Sequence, residues 1–183
     1  MPDPKRLFLL RHAKSSWEDP GLEDHERPLA PRGRRAVQVL GEHLRENDIR
    51  PVQVLCSTSR RTRETLEGVA PGGETLIESE LYNADAQQLL ERLRRVSEDV
   101  ESVMVIGHNP TLQIIALRLS EDEASNGDGT HRAQISQKFP TGALATLTFD
   151  CAWSQLGPGC ARLTAYVRPK AIAKRAPSRS VPE

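Results

Sequence analysis

At 183 residues, with 37% hydrophobic and 27% charged content, the chain suits one soluble globular domain and is too short for two ordinary ones. Its formal net charge of 0 provides no overall field to attract nucleic acid or an anionic membrane. No apolar run approaches the roughly 18 residues needed to cross a bilayer, and Met1-Pro2-Asp3-Pro4 leads into a strand with no signal-peptide core. Cys56, Cys151 and Cys160 are too scattered for a disulfide framework or a metal knuckle, leaving a Cys151–Cys160 bridge as a minor alternative; a reducing cytoplasm is the expected setting.

Arg6 to Arg11 is an almost unbroken apolar run, the pattern of a strand buried on both faces. Residues 12–30 lack periodicity and are rich in Pro, Gly, Asp and Glu, which predicts a long loop of the kind that often carries function. Ala36, Val37, Leu40 and Leu44 share a face of a helix over residues 31–47. A second β-like run, Val52 to Cys56, leads into Ser57-Thr58-Ser59, hydroxyl residues suited to capping a helix from Arg60 to about Val69, which Pro71-Gly72-Gly73 stops. A short strand at Thr75–Ile77 and an amphipathic helix from Asp85 to about Glu98 follow. Ser102 to Ile106 is the third strong strand and ends in Gly107-His108-Asn109-Pro110, with Pro110 near the first turn of a helix reaching Leu119.

Glu121 to Gln137 is polar and poor in apolar residues, so a mobile loop is expected there. Gly142–Phe149 and Arg162–Val167 alternate like two antiparallel strands, with Gly157-Pro158-Gly159 turning between them. The domain is expected to span 1–167, and the basic stretch 168–183 to be a flexible tail. Strands alternating with helices predict a three-layer α/β/α sandwich, its central sheet mostly parallel with an antiparallel edge. Ligands of such sheets bind beyond the carboxyl ends of the strands. Three polar clusters fall there: Arg11-His12, Ser57 with Arg60 and Arg61, and His108-Asn109.

Histidines and arginines without cysteine neighbours suit a phosphoryl group. Arginine offers a planar fork of donors to phosphate oxygens, and a helix N-terminus adds backbone N–H groups. A neutral imidazole nitrogen carries a lone pair near pH 7 and can act as nucleophile. The composition does not say which histidine attacks.

The segment from Leu10 to Trp17 (LRHAKSSW) resembles the signature of the histidine phosphatase superfamily, in which Arg-His is usually followed by Gly. Ala13, Asp24 to Leu29 (DHERPL), Gly33 and Phe139 to Ala143 (FPTGA) are similar to the SixA-type phosphohistidine phosphatase branch. Ser57, Arg61 and Thr65 match the second motif, and Val105 to Pro110 (VIGHNP) the third. The resemblance covers roughly residues 6–150 in motif order. It implies a phosphoglycerate mutase-like fold and a metal-independent hydrolase of the phosphoric monoester type, without cofactor. His12 would attack phosphorus in line, and Arg11, Arg61 and His108 would hold the equatorial oxygens.

Several positions keep two readings. His108 reads as a phosphate ligand or as a satisfied structural histidine. Ser57 reads as a helix cap or a phosphate ligand. Arg27 either lines the rim of the site or pins the loop. Glu80 lies where other branches carry a general acid, and is alternatively an exposed loop carboxylate. Glu18 stands where phosphoglycerate mutases carry Asn, and a carboxylate beside a phosphate is repulsive, which argues against a mutase. The expected substrate is a phosphohistidine on a histidine phosphotransfer domain; the alternative is a small phosphorylated metabolite, ester or anhydride, at the same centre. A monomer is expected, with no nucleic acid, membrane or metal partner.

Overall fold

The computed structural model describes residues 3–121 and 130–175. Six strands form one sheet: β1 (Lys5–Arg11), β2 (Gln53–Ser57), β3 (Glu74–Glu78), β4 (Ser102–Gly107), β5 (Leu144–Phe149) and β6 (Arg162–Val167). They lie in the order β3-β2-β4-β1-β5-β6. β1, β2, β3 and β4 run parallel, while β5 and β6 pair antiparallel at one edge.

Alternation along β1 decides the layering. Leu7 and Leu9 face a core shared with α3 (Ala86–Leu93), α4 (Thr111–Leu119) and Ile135. Phe8 and Leu10 face the opposite core, against Val37, Leu40 and Leu44 of α1 (Pro31–Glu46) and Val69 of α2 (Arg60–Val69). All four side chains are at most 2% exposed, and each contributes about 1.5–3 kcal/mol through burial. The result is a three-layer α/β/α sandwich, as the strand–helix alternation requires.

Three elements differ from the sequence reading. The helix expected to reach Glu98 ends at Leu93; a capping box at Asp85 and Gln88 starts it. Val96 is still buried, but in a turn closed by its own N–H on the Leu93 carbonyl. Of the segment read as a mobile loop, Thr130–Gln137 forms helix α5, while residues 122–129 lie outside the described residues. Ile135 is fully buried, and Arg132 donates to the carbonyls of Leu117 and Ser120. The basic tail begins with helix α6 (Pro169–Arg175), whose Ile172 packs on the core beneath α1, so the folded unit passes residue 167; residues 176–183 lie outside the described residues. Cys56, Cys151 and Cys160 are all free thiols, and no Cys151–Cys160 bridge is formed. Among the described residues no helix is long and apolar enough to cross a membrane.

Candidate active site

Strand register brings the polar clusters together. Arg11 of β1 pairs with Gly107 of β4, so His12 and His108 leave adjacent parallel strands at the same level. Cys56 of β2 pairs with Ile106, which sets Ser57 beside them. The backbone of His12 is then fixed from both sides. Its N–H donates to the Gly107 carbonyl at 3.1 Å, and the Gly142 N–H reaches the carbonyls of Arg11 and His12 at 3.1 and 3.0 Å. Gly142 adopts φ +77°, a conformation that favours glycine. On the far side α1 presses so close that a Cβ at Gly33 would stand 2.2 Å from the Lys14 carbonyl oxygen.

His12 is 7% exposed. Its Nδ1 lies 2.8 Å from the Ala13 carbonyl oxygen, which can only accept, so Nδ1 carries the proton. Nε2 is left with its lone pair and accepts from Nε of Arg61 at 3.3 Å. Burial, reinforced by His108, Arg61 and Arg11, pushes the His12 pKa down to about 3 against the pull of the Ala13 carbonyl. The imidazole is therefore neutral near pH 7, with Nε2 available to attack. His108, its ring centroid 5.3 Å from that of His12, is lowered to about 4 by burial and then by Arg61, with Asp24 opposing. Its Nε2 is 2.8 Å from Ser57 Oγ.

The arginines approach from two elements. Arg11 ends β1; its Nη1 donates to the Phe139 carbonyl, while its buried Nε has no partner. Burial, then the charge of Arg61, lowers its pKa. Arg61 occupies the second position of α2 and is 6% exposed. Four residues on, Thr65 accepts from the Ala13 N–H at 3.0 Å and donates to the Arg61 carbonyl at 2.7 Å. The spacing of the second motif thus puts one side of α2 under the loop that follows His12.

These residues line a cavity of about 340 Å³, shared with Lys14, Trp17, Arg27, Tyr82, Asn83 and Asn109. Ser57 is not in its lining, nor is it the cap of α2, which is Ser59; its hydroxyl holds His108. Arg27 does both things expected of it. It lines the cavity, and it pins the loop through Ser15 Oγ at 2.8 Å, the Ser16 carbonyl at 3.2 Å and Asp24 Oδ1. Glu80 is not brought together with the others. It is exposed in a short turn, Ser79–Leu81, and borders a separate depression with Gln88 and Arg92. Glu18 is exposed and does not line the cavity.

Two residues given no role from sequence join the site. Asp24 Oδ2 accepts from Arg61 Nη2 at 3.0 Å and from the Tyr82 hydroxyl at 2.5 Å, while Oδ1 takes Arg27. The Tyr82 bond first, then Arg61 and Arg27, holds the Asp24 pKa down to about 2. Tyr82 stands edge-on to His108, centroids 5.5 Å apart. The available signals were Asp24 three residues before Arg27 and an isolated Tyr after the third strand; neither points to the other.

An arginine-rich cavity with an unpartnered buried donor and a neutral imidazole suits an anion that histidine can attack. Comparison with known proteins agrees. Residues 7–86 match the histidine phosphatase superfamily (branch 1). An uncharacterized protein of Mycobacterium tuberculosis is 38% identical over 161 residues, covering 88% of this chain and 100% of the relative. A solved structure from Nakamurella multipartitia, assigned as a phosphohistidine phosphatase SixA, is 28% identical with a TM-score of 0.81, covering 92% of this chain and 98% of that one. A second with the same assignment, from Agrobacterium tumefaciens, is 30% identical with a TM-score of 0.73 and covers 92% and 100%. The family match takes in the strands carrying Arg11, His12 and Ser57, the structural likenesses cover nearly the whole chain, and the chain belongs to the histidine phosphatase superfamily, in its SixA-like branch.

Proposed function

We propose that this phosphatase removes phosphate from phosphohistidine on a protein, a histidine-containing phosphotransfer domain, through a phosphorylated His12 and without a metal ion. In the first step the Nε2 lone pair of His12 attacks phosphorus and the P–N bond to the substrate imidazole breaks. Its electron pair returns to the substrate nitrogen, giving a neutral imidazole when the other ring nitrogen already carries a proton. In the second step water attacks the phosphoryl group on His12, the P–N bond breaks with its electron pair returning to Nε2, and the proton lost by water passes to solvent, releasing phosphate and restoring the neutral ring. Arg11, through its free Nε, and Arg61 neutralise charge on the equatorial oxygens, and the uncharged His108 ring hydrogen-bonds to them.

The observation that carries the choice of leaving group is Asp24. It is the sole carboxylate lining the cavity among the described residues, and with a pKa of about 2 it is ionised and holds no proton to give. An alcohol leaves badly without a positioned acid, a contribution worth about 10²–10⁴-fold. Imidazole, with a pKa of about 6.5, needs no such help. Three free thiols suit a reducing compartment such as the cytoplasm.

A parallel kinetic panel tests this reading. A phosphorylated phosphotransfer domain should turn over with kcat/KM at least about 10²-fold above sugar phosphates, the deficit expected of an ester without its acid. Equal or faster turnover of sugar phosphates would instead make the chain a small-molecule phosphatase. Glu80→Gln should change both rates little; a selective loss on esters would restore Glu80 as their acid.

A further inference from the structure

Trp17 is a side chain that neither the fold nor the mechanism above requires. It is 70% exposed, while Trp153, the second tryptophan of the chain, is fully buried. An exposed indole would ordinarily move freely, yet this one is held. The Arg27 guanidinium lies over its ring at 3.5 Å, and Arg27, only 7% exposed, is itself fixed by Ser15, Ser16 and Asp24. One face of the indole is thereby covered by a cation, and Trp17 lines the same cavity as His12. A chain of direct contacts links the two: His12 to Arg61, Arg61 to Asp24, Asp24 to Arg27, and Arg27 to Trp17.

We infer that Trp17 is a stacking surface for the planar leaving group, receiving the imidazole ring of the substrate on its open face. A fixed aromatic at the mouth of a phosphate cavity discriminates by shape: a flat ring gains stacking contact, and a branched or flexible aliphatic group does not. A ring already held by Arg27 loses little freedom when a second ring stacks on it. Since stacking acts on bound substrate and transition state alike, it belongs in KM rather than kcat. The inference rests on the phosphohistidine reading for the identity of the ring, but its planar selectivity can be measured separately.

The test compares Trp17→Ala and Trp17→Phe with the unmodified protein on four substrates. These are N-phosphorylimidazole, an aryl phosphate, an aliphatic phosphate and a phosphorylated phosphotransfer domain. Trp17→Ala should raise KM about tenfold for the three substrates with planar leaving groups and leave the aliphatic one unchanged, with kcat preserved throughout. Trp17→Phe should recover most of the loss. Equal loss on all four would make Trp17 a support for the loop, and loss confined to the phosphotransfer domain would make it a protein-docking contact; either overturns the inference. Failure of the phosphohistidine reading would show instead in the relative rates of the unmodified protein, whatever Trp17→Ala does. As a readout without turnover, N-phosphorylimidazole added to a Trp153→Phe, His12→Ala double variant should quench the remaining indole fluorescence, and no change at saturation would contradict stacking.

Discussion

The floor and the rim of the cavity are built in different ways. The floor (Arg11, His12, His108 and the first turn of α2) hangs on the register of three parallel strands and on backbone bonds that leave His12 no freedom. The rim, made of Trp17, Asp24, Arg27 and Tyr82, belongs to no strand and is tied together mainly through side chains, with Asp24 as its hub. Under the proposed mechanism, chemistry and selectivity are then separately anchored: replacements in the floor should act on kcat, and replacements in the rim on binding.

The sharpest way to break that division is to exchange one residue from each side. Arg61→Ala removes a donor to the transferring phosphoryl group and should cost about 10²–10³-fold in kcat, measured under saturating substrate. Asp24→Asn should do something different. Its carboxylate occupies Arg61 Nη2 in the free enzyme, so neutralising it leaves the arginine freer for an external anion. The inhibition constant of inorganic phosphate should fall about three- to tenfold, with kcat changed less than about threefold. If Asp24→Asn loses kcat as Arg61→Ala does, the rim belongs to the catalytic machinery and the division fails.

A smaller effect sharpens the account of the floor. The pKa values of about 3 for His12 and about 4 for His108 lie below the usual histidine value, so both rings should stay neutral from pH 8 to 5 in ligand-free protein. Imidazole ¹⁵N shifts report this directly, and a His12 midpoint near the ordinary value of about 6.5 would mean the cavity does not desolvate it. The same shifts set a sign for stability. Below about pH 6.5 the unfolded histidines take up protons that the folded ones refuse, so stability should fall as pH drops from about 6.5 toward 3. Urea midpoints at pH 7 and 5 measure that loss.

What could be read from the chain follows the same line between floor and rim. β1 announces itself because both its faces are buried, and α1 because four apolar residues share one side. Arg11, His12, Arg61 and His108 each end or directly follow a strand, or lie in the first turn of a helix, in contiguous motifs, so topology alone collects them. α5 escaped because Ile135 is the one large aliphatic side chain in its eight residues, too sparse to set a helical period. α3 was overextended because Val96 keeps the spacing of a helix that has already ended. The rim escaped for another reason. Asp24 meets Arg61 across 37 residues and Tyr82 across 58, and Asp24 and Tyr82 lie in short turns with no period to read. Glu80 drew notice as an acid by its position in the chain, while Tyr82, two residues further, is the group that reaches the cavity.

The central claim is that neutral His12, through Nε2, takes the phosphoryl group. The most direct measurement is rapid alkaline quenching with phosphorus-labelled substrate, followed by mapping of the labelled residue and of the ring nitrogen that bears it. The account predicts label on His12, bonded to Nε2, and none in His12→Ala. Label on His108, or label that persists in His12→Ala, would contradict it.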